Sequence, residues 1–410
     1  MKYFLLSALV LVLAGCSHPV KTDSISIGKT DSLDSKILGE KRKIWVYVPN
    51  GAKDSKKKYP VVYLLDGEAH FSSVVGMIQQ LSSVNGNTVC PEMIVVGIPN
   101  TDRTRDLTPT NSLIDPNGNK INDFKTSGGG EKFESFIEKE LIPHIDSVYP
   151  VAPYRMLIGH SFGGLTVMNI MMNHTNMFNS YVAIDPSMWW DNRKLLNKAG
   201  EAFKQKKFEG KSLFLGVANT MPGGMDTLQV RLDSSGKTNH IRSILALKDT
   251  LKRNPGNGLN WSYKYYSQDD HSSVPLITEY DALHFLFGFY KIPEEFNAKL
   301  YDLHSKFDPA PALTAHYADI SKRMGYPVLP PEDMINQTAY YFMQQGAKEK
   351  AYSLFTLNIN DYPESANVYD SMGDYYSSQK DKTKAIEYYK KALKIGDNPE
   401  TKKKLEKLEK

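Results

Sequence analysis

The sequence predicts a doubly wound, mainly parallel α/β sheet followed by a small all-α helical-repeat region, and three observations carry that expectation. Short, nearly continuous apolar runs closed by Gly or Pro alternate with amphipathic stretches over roughly 250 residues, as strands covered on both faces and their crossover helices do. After about Lys291 no further strand pattern is found, and helical spacing rich in Tyr, Ala and Lys takes over. Within that last part residues recur at a spacing of 34, pairing Ala351 with Ala385, Phe355 with Tyr389, Asn358 with Ala392 and Phe342 with Tyr376.

In chain order, the first residues, MKYFLLSALVLVLAGCS, hold one lysine, an apolar stretch and then small residues. This reads as a secretory signal, too short and wrongly flanked for a spanning helix. Its end, LAGC, resembles the bacterial lipobox, which implies cleavage after Gly15 and lipid on Cys16, an anchor of more than one acyl chain. The polar stretch to about Lys36 then serves as a tether. Outer strand KIWVYVP leads to the buried runs YPVVYLLDG and EMIVVGI, with helical spacing between them from His70 to Val84. Next comes the amphipathic helix EKFESFIEKELIPHIDSVYP, then strands YRMLIG, SYVAIDP, SLFLGVA and NWSYKYYS, with a helix at His240 to Arg253. The second copy of the 34-residue period resembles a tetratricopeptide repeat at Tyr369, Gly373, Tyr376, Ala385, Tyr389 and Ala392. Two copies are fewer than usually stand alone, so they are expected to pack on the α/β part. The expected divisions are a signal peptide 1–15, a tether 16–36, an α/β domain 37–290, a helical linker 291–331 and repeats 332–410.

Composition excludes some functions. Of 410 residues, 41% are hydrophobic and 23% charged, as in ordinary globular proteins, and a net charge of +4 spread over both halves gives no nucleic-acid footprint. Of two cysteines, Cys90 leads into an apolar strand and reads as a packed thiol; with Cys16 lipidated no internal disulfide can form. No metal-ligand spacing and no phosphate loop is present, so no cofactor and no metal are expected.

The chemistry centres on GHSFG, Gly159 to Gly163, set between strand RMLI and helix GLTVMNIMMNH. That is the strand–turn–helix context of a nucleophile elbow, in which Ser161 is lifted above the sheet and the glycines let strand and helix approach. A serine hydroxyl needs a base. His271, in QDDHSSV, is the one histidine between the last strand and the last helix, where α/β-hydrolases carry theirs. The orienting acid should follow SLFLGVA, yet Asn219 and Thr220 stand there. Asp226 is the first carboxylate after them and the leading candidate; Asp185, ending the preceding strand, is a second route, and a Ser–His dyad helped by Asn219 or water a third. For the oxyanion, the backbone N–H of Phe162 is one donor, and that of Gly67 or Glu68, after VVYLL, the other.

Together VVYLLDGEAHF, VVGIPNTDRTRDLTP, LIGHSFGGL, AIDPSMWWD and DHSSV resemble the esterase family of α/β-hydrolases that contains the enterochelin esterases, esterase D and the feruloyl esterases. The resemblance implies a serine esterase acting on siderophore trilactones or on hydroxycinnamoyl or acetyl esters of polysaccharides. It also implies that Arg103 or Arg105, in DRTRD, lies beside the acyl group; a salt-bridged loop is the competing reading. Trp189, in SMWW, is expected in an apolar or sugar-binding wall, or in the core. The expected setting is a bacterial membrane surface, periplasmic or extracellular, held by the lipid anchor, with a protein partner or a second copy on the repeats. Two rivals remain at this stage: an inactive scaffold lipoprotein, favoured by the missing acid, and a peptidase on the same fold.

Overall fold

The structure is a computed structural model and describes residues 25–51, 57–300, 302–303 and 305–410. The expected signal peptide and the lipidation residue Cys16 lie outside the described residues. Eight strands form one sheet: β1 (Lys29–Ser35), β2 (Glu40–Tyr47), β3 (Tyr59–Leu65), β4 (Ile94–Ile98), β5 (Val151–His160), β6 (Ser180–Ile184), β7 (Ser212–Ala218) and β8 (Asn260–Tyr266). Their spatial order is β1-β2-β4-β3-β5-β6-β7-β8. All pairs from β4 to β8 are parallel, whereas β1–β2 and β2–β4 are antiparallel. The expected doubly wound, mainly parallel sheet is therefore present.

One element was not expected. β1 lies inside the stretch read as tether, yet pairs with β2 along its whole length. Its sequence, KTDSLDS, has no apolar run because it is an exposed edge strand held by polar contacts: Asp31 accepts from Tyr149 Oη at 2.8 Å and meets His144 at 3.0 Å. Residues 29–35, read from the sequence as part of a tether, belong instead to the sheet.

Helices cover both faces. Along β3 the side chains of Val61, Tyr63 and Leu65 enter one core and those of Val62 and Leu64 the other, the period of two that a strand imposes. The first core is closed by α3 (Gly130–Phe136), α4 (Ile142–Val148), α5 (Phe162–Asn173), α6 (Trp190–Gln205) and α8 (Asn239–Arg253), with a π-helical turn Ile137–Leu141 joining α3 to α4. The second is closed by α1 (Gly67–Ser82) and α9 (Val274–Leu286). Two four-residue turns, α2 (Arg103–Asp106) and α7 (Gln229–Leu232), lie in loops. Because β3 sends α1 to one face and its neighbour β5 sends α5 to the other, a crevice opens between their C-terminal ends, the switch point where ligands bind in open α/β sheets.

Beyond the sheet the described chain is all helical: α10 (Glu294–Leu300), α11 (Pro309–Met324), α12 (Glu332–Gln344), α13 (Lys348–Asp361), α14 (Ala366–Ser378), α15 (Lys382–Ile395) and α16 (Pro399–Glu409). The limits of α14 and α15 are those of α12 and α13 displaced by 34 residues, the period read from the sequence. Gly373 lets α14 and α15 touch, since a Cβ there would stand 2.5 Å from the Tyr389 ring. Leu313, Tyr317, Ile320 and Met324 of α11 join Tyr154 of β5 and Phe287 in the second core. Tyr154 lies near the start of the strand that ends at His160, so the helical region packs toward the end of the sheet away from Ser161.

Candidate active site

Ser161 sits between β5 and α5 with φ 59° and ψ −113°, a left-handed backbone that an L-residue adopts only under constraint. The constraint is visible in its hydrogen bonds. Ser161 N donates to Ile184 O at 2.9 Å, while Ser161 O accepts from Leu165 N and Ser187 N, each at 3.0 Å. Glycine is required at 159, where a Cβ would stand 2.4 Å from Gly163 O. The elbow read from GHSFG is thus built, and its hydroxyl faces the crevice.

Ser161 Oγ lies 3.1 Å from His271 Nε2 and 3.3 Å from Ser187 Oγ. His271 Nδ1 lies 2.6 Å from Asp185 Oδ2. The loop carrying His271 is tied down by Asn219, whose N donates to Asp269 O at 2.8 Å and whose Nδ2 donates to Ser267 O at 3.1 Å. Asn219 therefore acts on the loop's backbone rather than on the imidazole.

The expectation of Asp226 as the orienting acid is corrected. Asp226 is exposed, and its Oδ1 accepts from Leu228 N and Gln229 N in a local turn. The acid on the imidazole is Asp185, the second route considered. It is fully buried at the end of β6 with φ 41°. Its backbone N donates to Gly216 O at 2.9 Å, and its Oδ1 accepts from Ala218 N at 2.9 Å. The end of β7 thus supplies a donor that holds the acid, and the acid itself stands one strand earlier.

Sequence reasoning missed His240. At the start of α8, its Nε2 lies 2.8 Å from the same Asp185 Oδ2 that meets His271. Burial alone would push the Asp185 carboxyl upward, but His240 and then His271, by charge and hydrogen bonding, hold it well below the usual carboxylate range. An anionic Asp185 accepts Nδ1–H of His271, so that Nε2, the nitrogen facing Ser161 Oγ, is the unprotonated one. Beside it, the His160 ring stands 4.5 Å from that of His271, and burial, then the His271 charge, depress His160 to about 4. His160 is a neutral wall of the crevice. The donor set Asp185, His240 and His271 would also suit a metal ion by type and closeness, but all three are already satisfied by one another.

Phe162 opens α5, and Gly67 and Glu68 open α1, on the adjacent strand ends of β5 and β3. First-turn N–H groups have no intrahelical acceptor, so both helices point donors at the crevice. A Cβ on Gly67 would stand 2.7 Å from Ile98 N, which fixes glycine there. Glu68's carboxylate is taken by Asn100 Nδ2 at 2.7 Å.

The two arginines of DRTRD separate. Arg103 grips Asp66 with Nε at 2.7 Å and Nη2 at 3.0 Å, and its guanidinium lies 5.4 Å from the Phe162 ring centroid, beside the crevice. Arg105 is spent elsewhere: it donates to Glu40 and to Asp106, which also pairs with buried Arg42 at 2.6 Å. For Arg105 the salt-bridged-loop reading holds in place of a substrate contact. Trp189 is buried, its ring 6.1 Å from that of Phe162, and one side of it lines a cavity of about 430 Å³. Cys90 is buried and free, and burial pushes its thiol up to about 12, so it is an inert core group.

Residues 35–273 match the Esterase family model, described as "Putative esterase". The chain is similar to a siderophore enterobactin esterase of Emericella nidulans, 31% identical over 35% of this chain and 52% of that protein. It is similar to the ferri-bacillibactin esterase BesA of Bacillus subtilis, 32% identical over 34% of this chain and 52% of that protein. It spans about half the length of these curated relatives. Among solved structures, an IroE-like serine hydrolase from Shewanella oneidensis superposes with a TM-score of 0.68 at 33% identity, over 81% of this chain and 99% of the other.

Proposed function

This chain belongs to the esterase family, and from that premise we propose that it is a serine carboxylic-ester hydrolase in which Ser161 is the nucleophile, His271 the general base and acid, and Asp185 the orienting acid. The observation that carries the reading is the continuous relay from Ser161 Oγ to His271 Nε2 at 3.1 Å and from His271 Nδ1 to Asp185 Oδ2 at 2.6 Å.

As Ser161 Oγ bonds to the ester carbonyl carbon, its proton passes to His271 Nε2. The carbonyl oxygen takes the electron pair and is held by the N–H groups of Phe162 and of Gly67 or Glu68. Asp185 stabilises the imidazolium and fixes its tautomer. Collapse breaks the ester C–O bond, and Nε2–H gives its proton to the departing alkoxide. Water then repeats the sequence on the acyl-serine and releases the acid. His240 is a positioning residue, acting on the reaction through Asp185.

Siderophore esters are the favoured substrate class, supported by the activities named for the fungal and Bacillus relatives; acyl esters of polysaccharides are the second class to test. The inactive-scaffold reading drew on the missing acid, and Asp185 removes that support. The peptidase reading has no specific observation in its favour. Lipid on Cys16, a membrane-surface location, and tetratricopeptide-type repeats that take a protein partner or a second copy complete the proposal; the 34-residue offset of the helix pairs supports the repeat.

A fluorophosphonate probe should label Ser161, and p-nitrophenyl acetate should release nitrophenol, whereas Ser161→Ala should do neither. Failure of the wild-type protein to react with either reagent would sink the hydrolytic reading. A panel of siderophore, feruloyl and acetyl-xylan esters then ranks substrates.

A further inference from the structure

The cavity beside Trp189 lies outside the residues that carry the proposed chemistry, yet it adjoins them twice. Trp189 packs on Phe162, and Asn239, also on its wall, immediately precedes His240. Two half-buried guanidiniums, Arg193 and Arg242, line it. The hydrogen bonds of both go to neutral acceptors. Arg193 Nε and Nη2 donate to Asn239 Oδ1 at 3.1 and 2.7 Å; Arg242 donates through Nε to Thr238 Oγ1 at 2.8 Å and through Nη2 to Ser235 O at 2.7 Å. Among the described residues neither forms an ion pair with a carboxylate.

The two acids nearby are committed to their own loops. Asp115, also on the wall, accepts from Asn117 N and Asn119 N, and Asp233 accepts from Ser235 and Thr238. Burial, and then the charge of Arg242, lower the pKa of Arg193, so two like charges repel across one space. Asp233 feels the charge of Arg242 from behind Thr238 and Asp115 stands on the wall, but neither carboxylate ion-pairs with Arg193.

The walls are built for closeness. Asp191, Asn192 and Arg193 are three consecutive non-glycine residues in the left-handed region, at φ 48°, 52° and 62°, a conformation that persists only where surroundings impose it. At Gly236 a Cβ would stand 2.6 Å from Asn117 Cα, so glycine lets the 114–118 loop close the rim.

We propose that this cavity is a substrate subsite for a carboxylate, in which the Arg193 and Arg242 guanidiniums select esters whose acyl or alcohol arm carries a negative charge near the scissile bond. A planar guanidinium fork matches a carboxylate, and an anion placed between two unpaired guanidiniums relieves their repulsion. Half-esters of diacids have this form. So does the linear product left when one bond of a cyclic polyester is opened, which then carries a free carboxylate beside the remaining esters. The inference rests on the proposed esterase reading and narrows its substrate.

The test compares mono-p-nitrophenyl glutarate with p-nitrophenyl valerate for the acyl side, and 4-carboxyphenyl acetate with 4-carbamoylphenyl acetate for the alcohol side. For the wild-type protein at low salt, kcat/KM should favour the charged member of one pair at least tenfold, and 0.5 M NaCl should shrink the ratio. In Arg193→Gln and Arg242→Gln the ratio should fall toward one. A wild-type ratio at or below one in both pairs, or a ratio the variants leave intact, overturns the subsite while leaving the esterase reading standing. If no ester is cleaved, the esterase reading fails instead. The subsite is then tested alone by titrating the protein with glutarate and glutaramide, following Trp189 fluorescence; equal response to both overturns it.

Discussion

At the scale of single residues, the pairing of Ser161 with His271 was legible because the signals of both are local. GHSFG between a strand and a helix, and a histidine on the last loop, need no knowledge of distant contacts. The acid was not, because its position depends on which strand end faces the imidazole. Asp185 and Asp226 differ little in sequence terms, each following a strand of the sheet by a short distance. What separates them is a hydrogen bond from Ala218 N that captures Asp185 and a turn that occupies Asp226. His240 opens a predicted helix with no local signal of a role, and only the fold brings it to the same carboxylate oxygen. Asp185→Asn should therefore lower kcat by about 10³–10⁴, as loss of the orienting acid does when the tautomer is no longer fixed, with KM little changed. Asp226→Asn should leave kcat within about twofold, as for a surface turn. Steady-state rates on p-nitrophenyl acetate decide the matter; equal losses in the two variants would return the assignment to an open question.

At the scale of elements, the buried strands and the helices between them followed from apolar runs and their breaks. β1 did not, since a polar edge strand carries no periodic apolar signal and is fixed by pairing and by Asp31's contacts. The elbow shows why an element junction can be more specific than its parts. Gly159 closes β5 against the first turn of α5, and a methyl group there would stand 2.4 Å from the carbonyl oxygen of Gly163. Backbone cannot give way without moving Ser161, whose own conformation is already constrained. Gly159→Ala should cost about 2–4 kcal/mol of stability and abolish fluorophosphonate labelling even in the fraction that folds. Thermal melts with labelling of the soluble fraction test both parts. An alanine variant labelled at the wild-type rate would mean that the junction tolerates bulk and that the glycine is not what places the serine.

At the scale of the whole molecule, two opposing sets of buried carboxyls give stability a defined response to pH. Asp185 is held low by His240 and His271 despite burial, and Asp66 is likewise low because the Arg103 guanidinium outweighs its burial. These two stabilise the fold above the unfolded carboxyl range and lose that contribution as pH falls through their depressed values. Glu134 and Glu279 act in the other direction, one on each face of the sheet. Burial raises Glu134 to about 7, with partial relief from Asn169, and raises Glu279 to about 8. Glu279 has no hydrogen-bond partner on either oxygen among the described residues. His70 Nδ1 is 3.7 Å away, too far for a hydrogen bond, and burial lowers that imidazole's pKa, which disfavours an ion pair with the carboxyl. Such a group is protonated in the fold and ionised in the unfolded chain from about pH 4.5 upward. Folded molecules then bind more protons than unfolded ones, and stability falls as pH rises from that point to about 8. His160 and His70, lowered by burial, work the other way up to the unfolded imidazole value near 6.5, so the melting temperature should decline mainly between about pH 6.5 and pH 8. Glu279→Gln removes one titrating group while keeping its shape: the variant should match wild type at pH 5 and melt about 2–4 °C higher at pH 8. Parallel melting curves for the two proteins across that range would show instead that Glu279 is ionised in the fold, with a partner or solvent reaching the α1–α9 face from the side where the helical region packs.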